Sequence, residues 1–217
     1  MLNNRNKINN MTPYITETSS MNLTTMDVFS KLMLDRIIFL GTDIDDYVAN
    51  IINAQLLYLV SDSALKGKKG EDRDITMYIN SGGGEIYSGN SILDVMDYVK
   101  SMGIIIKTVN IGLSASMASV ILSNGSKGSR YSLKRGRVML HQPLSSIGYS
   151  QATDIEITAN EINILKKELA QTLATNSGKN IKTILKDCDR DFWLSSQGAK
   201  DYGLIDKIIE YGENKTS

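Results

Sequence analysis

Short apolar runs alternate along this chain with longer segments in which apolar residues recur every three to four positions. Four of the runs predict strands, at 36–41, 75–80, 104–109 and 137–140. Helical periodicity follows the first three strands, at 43–58, from Ile86 to Val99 and through Leu122. Strands that alternate with helices are typical of an α/β fold with a largely parallel sheet.

The longest helical pattern covers residues 153–176 and differs from the other predicted helices. Its apolar side chains form one narrow stripe, which consists of Ile162, Leu165, Leu169 and Leu173. No obvious strand follows this segment in the chain. A narrow apolar stripe is the pattern of a helix that packs on another helix, and we expect this one to pack on another subunit.

Three further segments have patterns of their own. Residues 1–30 show little apolar periodicity and are expected to form a mobile or processed extension. Residues 61–74 are charged, and because acidic residues offset the lysines we predict an exposed loop, not a basic binding site. In the last unit Ser195 is a candidate helix N-cap, Gly203 is a helix stop, and 204–209 predicts a closing strand.

Composition excludes several classes of function. The 217 residues suffice for one large domain or two small ones. Basic and acidic residues both number 24, so no net field draws the chain to nucleic acid or to an anionic membrane. The single cysteine, Cys188, excludes an internal disulfide, and no Cys/His cluster has metal-site spacing. Without a secretory signal or an apolar stretch of ~18 residues, the expected location is cytoplasmic.

Candidate chemistry centres on the single histidine, His141, which directly follows the predicted strand at 137–140. Ser116 lies in a turn of small residues at 112–119, and Asp191 lies beside another apolar segment. A serine, a histidine and an aspartate permit a hydrolytic triad. Taken alone, each has a plainer interpretation: a helix-start serine, a core histidine, and a capping or ion-paired aspartate. Spacing does not decide between them.

Backbone N–H groups near Ser116 could stabilise an oxyanion. The N–H of Met117 would be free at the start of a helix. Gly83 and Gly84 follow the strand at 75–80 and could supply a second N–H, since glycine lets the backbone approach a ligand closely. Taken alone, these glycines indicate only a tight turn.

Several segments resemble, in family order, the proteolytic subunits of ATP-dependent Clp proteases. They are DRIIFLG at 35–41, YINS at 78–81, ASM at 115–117, RVMLHQP at 137–143, QATDIE at 151–156 and RD at 190–191. The resemblance runs from Pro13 to Ile209, which is nearly the whole chain.

The resemblance implies a serine endopeptidase that hydrolyses unfolded proteins and peptides through an acyl-enzyme. In that family pattern Ser116 is the nucleophile, His141 is the general base, and Asp191 orients and stabilises the imidazole. The N–H groups of Gly84 and Met117 form the oxyanion hole.

The resemblance also implies the fold and the assembly. The fold is a crotonase-like spiral of ββα units, a single domain at 31–217 with a protruding handle helix at about 145–176. Two stacked seven-membered rings, fourteen subunits, enclose the active sites, and Asp189 and Arg190 pair across the ring interface. A partner AAA+ unfoldase uses ATP, and this subunit carries no cofactor. A plain surface ion pair is the alternative for Asp189 and Arg190.

Some positions depart from the family pattern. Gly82 stands where a proline is usual, Ser145 and Ser146 replace two glycines, and the insert at 61–74 is longer than usual. None of these departures changes Ser116, His141 or Asp191, but they bear on substrate specificity and assembly. Two other functions stay open as alternatives: a catalytically silent scaffold subunit of the same family, and an acyl-CoA enzyme of the wider crotonase fold.

Overall fold

A seven-stranded, mostly parallel sheet forms the centre of the molecule. The computed structural model describes residues 13–18, 23–145 and 148–211. Its strands are β1 Tyr14–Thr18, β2 Leu23–Asp27, β3 Ile37–Leu40, β4 Ile75–Ser81, β5 Ile106–Ala115, β6 Arg130–Leu133, β7 Arg137–Leu140, β8 Phe192–Ser195 and β9 Lys207–Ile209. Its helices are α1 Val28–Leu34, α2 Asp46–Leu65, α3 Ile86–Ser101, α4 Met117–Ser123, α5 Ala152–Ser177, α6 Ile181–Asp187 and α7 Ser196–Tyr202.

The strand order confirms the predicted α/β fold with a largely parallel sheet. Strands β3, β4, β5, β6 and β9 lie side by side in that order, and each pair is parallel. The ten residues of β5 are enough for two partners along one edge. Its residues 108–110 pair with β6, and its residues 113–115 pair with β7. Strand β8 adds to β7 in the antiparallel sense.

The core lies between the sheet and the helices that cover it. In β4, Ile75, Met77 and Ile79 are fully buried, and the residues between them are less so. The same apolar cluster contains Leu56 of α2 and Met96 of α3. Each such buried side chain contributes about 1.5–3 kcal/mol to folding.

Strand β5 differs from its prediction at both ends. It begins at Ile106 instead of Ile104 and continues to Ala115, so half of the predicted turn at 112–119 is strand. A bulge in the β4–β5 ladder allows this extension, because the side-chain oxygen of Asn80 accepts the N–H of Leu113 at 3.0 Å. A side chain thus replaces the ladder partner that a regular strand would supply.

The prediction of an exposed loop at 61–74 is wrong over its first part. Helix α2 continues to Leu65, and a 3₁₀ turn covers Gly70–Arg73. Asp62 is buried, and its carboxylate pairs with Lys66 at 2.7 Å and with Lys68 at 3.5 Å. The sequence pattern predicts that these charged side chains are exposed to solvent. In the structure the Asp62 carboxylate is instead neutralised by the two lysines, which allows α2 to continue to Leu65.

The predicted long helix at 153–176 is confirmed as α5, which has 26 residues. Its second half packs on α4 and α6, where Leu165 and Leu173 are buried. Its first part, residues 152–160, contributes no buried side chain, and Ile155 and Ile157 are exposed.

The chain termini are described only in part. Residues 1–12 and 19–22 of the expected mobile or processed extension lie outside the described residues. The two strands on either side of residues 19–22, β1 and β2, pair in the antiparallel sense, which the sequence pattern did not indicate. The mobility and processing of this segment stay predictions.

The closing unit follows the sequence-based expectation closely. The side chain of Ser195 accepts the N–H of Gly198 at 3.1 Å and caps α7. Gly203 ends α7 with φ of 93°, a left-handed value that favours glycine. The predicted strand at 204–209 is shorter, Lys207–Ile209, because Leu204 and Ile205 turn into the core before it starts.

Arg130 links four elements at the end of the sheet. It is 2% exposed and pairs bidentately with Asp206, Nε to Oδ2 at 2.9 Å and Nη2 to Oδ1 at 2.7 Å. Its Nη1 donates to the carbonyls of Ser123 and Asn176, at the ends of α4 and α5. Burial acts to raise the pKa of Asp206, but the hydrogen bonds from Arg130 outweigh it and the pKa is lowered.

Replacement of Arg130 by methionine is expected to lower the free energy of unfolding by about 3–5 kcal/mol, because a carboxylate whose side chain is only 16% exposed would lose its partner. Urea unfolding measures the change, and Arg135→Met is the control, since Arg135 is exposed. Equal stability of the two variants would show that the buried pair does not support the fold.

Candidate active site

Ser116 lies at the junction between β5 and α4. Its backbone has φ of 53° and ψ of −128°, and Arg36 is the one other described non-glycine residue with positive φ. Such a conformation costs about 1–3 kcal/mol and persists only where the surroundings impose it. Here the N–H of Ser116 donates to the carbonyl of Met139 in β7 at 2.9 Å. The sharp turn between strand and helix presents the side chain of Ser116 at the edge of the sheet.

His141 reaches Ser116 because β5 and β7 are parallel neighbours. Their register pairs Ala115 with Met139, so both strands end at the same edge of the sheet. His141 Nε2 lies 2.7 Å from Ser116 Oγ, a hydrogen-bond distance. The histidine side chain is only 15% exposed. A base in this position can take the hydroxyl proton and activate the serine as a nucleophile.

Asp191 comes to His141 through the antiparallel pairing of β7 with β8. That pairing places Leu140 opposite Phe192, so Asp191 and His141 are the next residues beyond the ladder. Asp191 Oδ1 lies 3.7 Å from His141 Nδ1, which is longer than a hydrogen bond. The aspartate side chain is 63% exposed. The structure thus places all three residues next to one another, with a hydrogen bond between Ser116 and His141 but none between His141 and Asp191.

Gly84 presents its N–H toward this site. Ile44 forms a parallel bridge with Gly84, in which Ile44 donates to the carbonyl of Gly83 and accepts from Glu85. In such a bridge the N–H of Gly84 points away from Ile44. A Cβ on Gly84 would lie 2.1 Å from the carbonyl oxygen of Ile44, so the segment requires glycine.

The segment that contains Gly84 also lies directly against the serine. A Cβ on Gly83 would lie 2.6 Å from Cβ of Ser116 and 3.0 Å from the nitrogen of Met117. Within the described residues, neither the N–H of Gly84 nor that of Met117 has a hydrogen-bond partner. Two free backbone N–H groups beside a serine hydroxyl can donate hydrogen bonds to the oxyanion of a tetrahedral intermediate and stabilise its negative charge.

A cavity of about 270 Å³ opens over these groups. Ser116, His141, Gly84 and Met117 belong to its wall. The rest of the wall is mainly apolar and includes Ile86, Val120, Leu169 and Leu173. Such a cavity can hold an apolar side chain of a bound peptide next to the hydroxyl of Ser116.

The sequence-based candidates for subunit contact lie on the loop before β8. Asp189 and Arg190 are both exposed, and Arg190 forms no ion pair with any other residue that the structure describes. Sequence reasoning missed Gln142, which is hydrogen-bonded to this loop, and Lys166, which is hydrogen-bonded to Gln142. The position of Gln142 next to His141 was the one available signal.

Other chemistries find little support in the described part of the chain. It contains no group of three or more histidine, cysteine, aspartate or glutamate residues that could hold a metal ion. None of its helices combines the length and the apolar character that crossing a membrane requires. Burial raises the pKa of Cys188 to about 11, so that thiol stays protonated near neutral pH and is a poor nucleophile.

Comparison with known proteins gives the same family over most of the chain. The family model for Clp protease matches residues 19–212. An ATP-dependent Clp protease proteolytic subunit from Porphyromonas gingivalis is 50% identical over 200 residues, which cover 92% of this chain and 85% of that protein. A protein of the same description from Bacteroides fragilis is 50% identical over 199 residues, covering 92% and 91%. Its counterpart from Bacteroides thetaiotaomicron is 48% identical, covering 92% and 86%.

These matches cover most of this chain and most of each relative. The residues matched by the family model include every segment that forms the cavity around Ser116 and His141. The chain belongs to the Clp protease family and is a proteolytic subunit of that family.

Proposed function

We propose that this chain is a serine endopeptidase in which Ser116 is the nucleophile and His141 is the general base. The observation that carries the proposal is the 2.7 Å contact between Ser116 Oγ and Nε2 of the chain's one histidine. Asp191 is the third member, because its carboxylate faces the other ring nitrogen of His141. The N–H groups of Gly84 and Met117 form the oxyanion hole.

The reaction is acyl transfer in two halves. Ser116 Oγ attacks the carbonyl carbon of the scissile peptide and gives its proton to His141 Nε2. The carboxylate of Asp191 stabilises the imidazolium, and the two N–H groups stabilise the oxyanion. The C–N bond then breaks, and His141 returns the proton to the leaving amine. Water repeats the sequence on the acyl-enzyme, releases the carboxylic acid and restores Ser116.

The open contact at Asp191 supports a role for assembly. A separation of 3.7 Å must shorten by less than about 1 Å to form a hydrogen bond, and catalytic contacts are often long before substrate binds. We infer that a neighbouring subunit covers the exposed loop at 189–191. In the proposed assembly, Asp189 and Arg190 pair across the interface between subunits in a ring.

Two stacked seven-membered rings are the proposed assembly, and the unburied first part of α5 supports it. That segment belongs to the proposed handle at about 145–176, and its exposed Ile155 and Ile157 would contact the opposite ring. The relatives are described as subunits of an ATP-dependent protease, which supports an AAA+ unfoldase as the ATP-using partner. The subunit itself would act without a cofactor in the cytoplasm, on unfolded proteins delivered to the chamber.

The Ser116→Ala variant is expected to hydrolyse peptides roughly 10⁶-fold more slowly than the unchanged protein, because it has no hydroxyl to attack the substrate. Steady-state peptide hydrolysis measures the loss. Ser150→Ala is the matched control, since Ser150 is exposed and lies outside the cavity. Turnover by Ser116→Ala at the control rate would refute the mechanism.

A fluorophosphonate probe separates this mechanism from the two alternatives. The proposal predicts a covalent adduct at Ser116, located by mass spectrometry, and no adduct in Ser116→Ala. A silent scaffold subunit would assemble but would not be labelled. An acyl-CoA enzyme would turn over a CoA thioester without requiring Ser116.

The apolar cavity predicts the residue preferred before the cleaved bond. We expect peptides with leucine at that position to show kcat/KM at least about tenfold higher than matched peptides with alanine, because leucine fills the cavity. Peptides with aspartate there should be slower still, since the wall at Ile86, Val120 and Leu173 offers the charge no partner. Equal kcat/KM for all three peptides would contradict this assignment of the cavity.

A further inference from the structure

The carboxylate of Asp191 has little to hold it in place. Apart from His141, it has no hydrogen-bond or ion-pair partner in the part of the chain that the structure describes. Its position therefore depends on the backbone of the loop that precedes β8. That loop is held on one side by the β7–β8 ladder, which ends with Leu140 opposite Phe192.

On its other side the loop is held by Gln142, the residue after His141. The backbone N–H of Gln142 donates to the carbonyl of Cys188 at 2.7 Å. Its side-chain Nε2 donates to the carbonyl of Asp189 at 3.0 Å. A single residue next to His141 therefore fixes two consecutive carbonyls of the loop that leads to Asp191.

Lys166 of α5 fixes which way the Gln142 amide points. Lys166 Nζ donates to Gln142 Oε1 at 2.6 Å. An ammonium group has donors and no acceptor, so it can bind only the oxygen of the amide. The amide nitrogen must then face the carbonyl of Asp189. Without Lys166 the amide can rotate by half a turn, which would place oxygen against oxygen and release the loop.

We propose that Gln142 and Lys166 are positioning residues: they hold the loop that carries Asp191 close enough to His141 for the 3.7 Å contact to shorten to a hydrogen bond during catalysis. The inference rests on the proposed serine mechanism and adds a connection to it. Through Lys166 and then Gln142, the helix expected to form the contact between rings is connected to the loop that carries Asp191. Neither residue is hydrogen-bonded to Ser116, His141 or Asp191, so the proposed effect passes through the loop that carries Asp191. Gln142 also belongs to the cavity wall and Lys166 does not, which makes Lys166 the primary position for the test.

The first test compares three lysine variants in the full-length protein. Lys166→Met is expected to lower kcat for a peptide by about 10- to 100-fold, the loss typical of a misplaced catalytic group, with KM nearly unchanged. Lys166→Arg keeps a donor and should restore most of kcat. Lys167→Met is the matched control, because Lys167 is the exposed neighbour and the bond to Gln142 comes from Lys166. A kcat for Lys166→Met equal to that of Lys167→Met would overturn the proposal.

The second test asks whether the effect passes through Asp191. Asp191→Ala alone should lower kcat by roughly 10⁴-fold, as loss of a triad aspartate typically does. Adding Lys166→Met to Asp191→Ala should then cause no further loss. A merely structural role for Lys166 would give the same fold-loss in both backgrounds, and that result would overturn the proposal.

A second variant covers the case in which Lys166→Met fails to fold or assemble. Gln142→Glu keeps an oxygen for Lys166 and removes the amide donor to Asp189. The proposal predicts a similar loss of kcat, which again disappears in the Asp191→Ala background. Unchanged kcat in Gln142→Glu would overturn the proposal. Because Ser116 is intact in these variants, their results are independent of the Ser116→Ala test of the mechanism.

Discussion

The parallel pairing of β5 with β7 is the constraint on which the site depends. Three residue pairs join the two strands, and the N–H of Ser116 adds one more bond to Met139 just beyond them. Side chains alternate between the faces of a sheet, so a shift of one residue would turn His141 to the opposite face. The same bond holds Ser116 in its positive-φ conformation. The pairing of β5 with β7 thus accounts both for the position of His141 and for the strained backbone of Ser116.

The remaining groups reach the serine through close backbone approaches. Gly83 and Gly84 bring a second strand end against Ser116, at distances where any side chain would collide with backbone atoms. Helix α4 is buried along its whole length, which keeps the N–H of Met117 at a fixed place under the cavity. The proposed oxyanion donors are therefore packed against neighbouring backbone, and preorganised donors of this kind are what stabilisation of an oxyanion requires. Asp191 is the exception, because it lies on an exposed loop.

The sequence predicts those parts of this architecture that follow from local pattern. Periodicity places α3, α5 and the strand before His141 correctly, and cap residues locate the start and end of α7. Strands β6 and β8 and helix α6 were not predicted, because each has only four to seven residues, too few to establish a period. The α2 extension was missed because only the fold shows that Asp62 is buried and pairs with both Lys66 and Lys68.

The sequence likewise predicts part of the candidate site, and the rest depends on tertiary contacts. Residue types suggested Ser116, His141 and Asp191, and resemblance to a family implied the role of each. The distances between them, however, depend on strand pairings between segments that are far apart in the chain. No pattern marked Lys166, since its partner Gln142 lies 24 positions away in the chain. Such contacts become visible only when the sheet and α5 are both in place.

The central claim is that His141 accepts the proton of Ser116, and the presence of one histidine makes a direct measurement possible. Histidine labelled with ¹³C gives a single residue's signal, so its protonation can be followed by NMR in the assembled protein. The kcat/KM for peptide hydrolysis should fall on acidification, and the midpoint of this fall should match the midpoint of the change in the NMR signal. The reason is that a protonated imidazole cannot accept the hydroxyl proton. Full activity at a pH where His141 is entirely protonated would contradict the account.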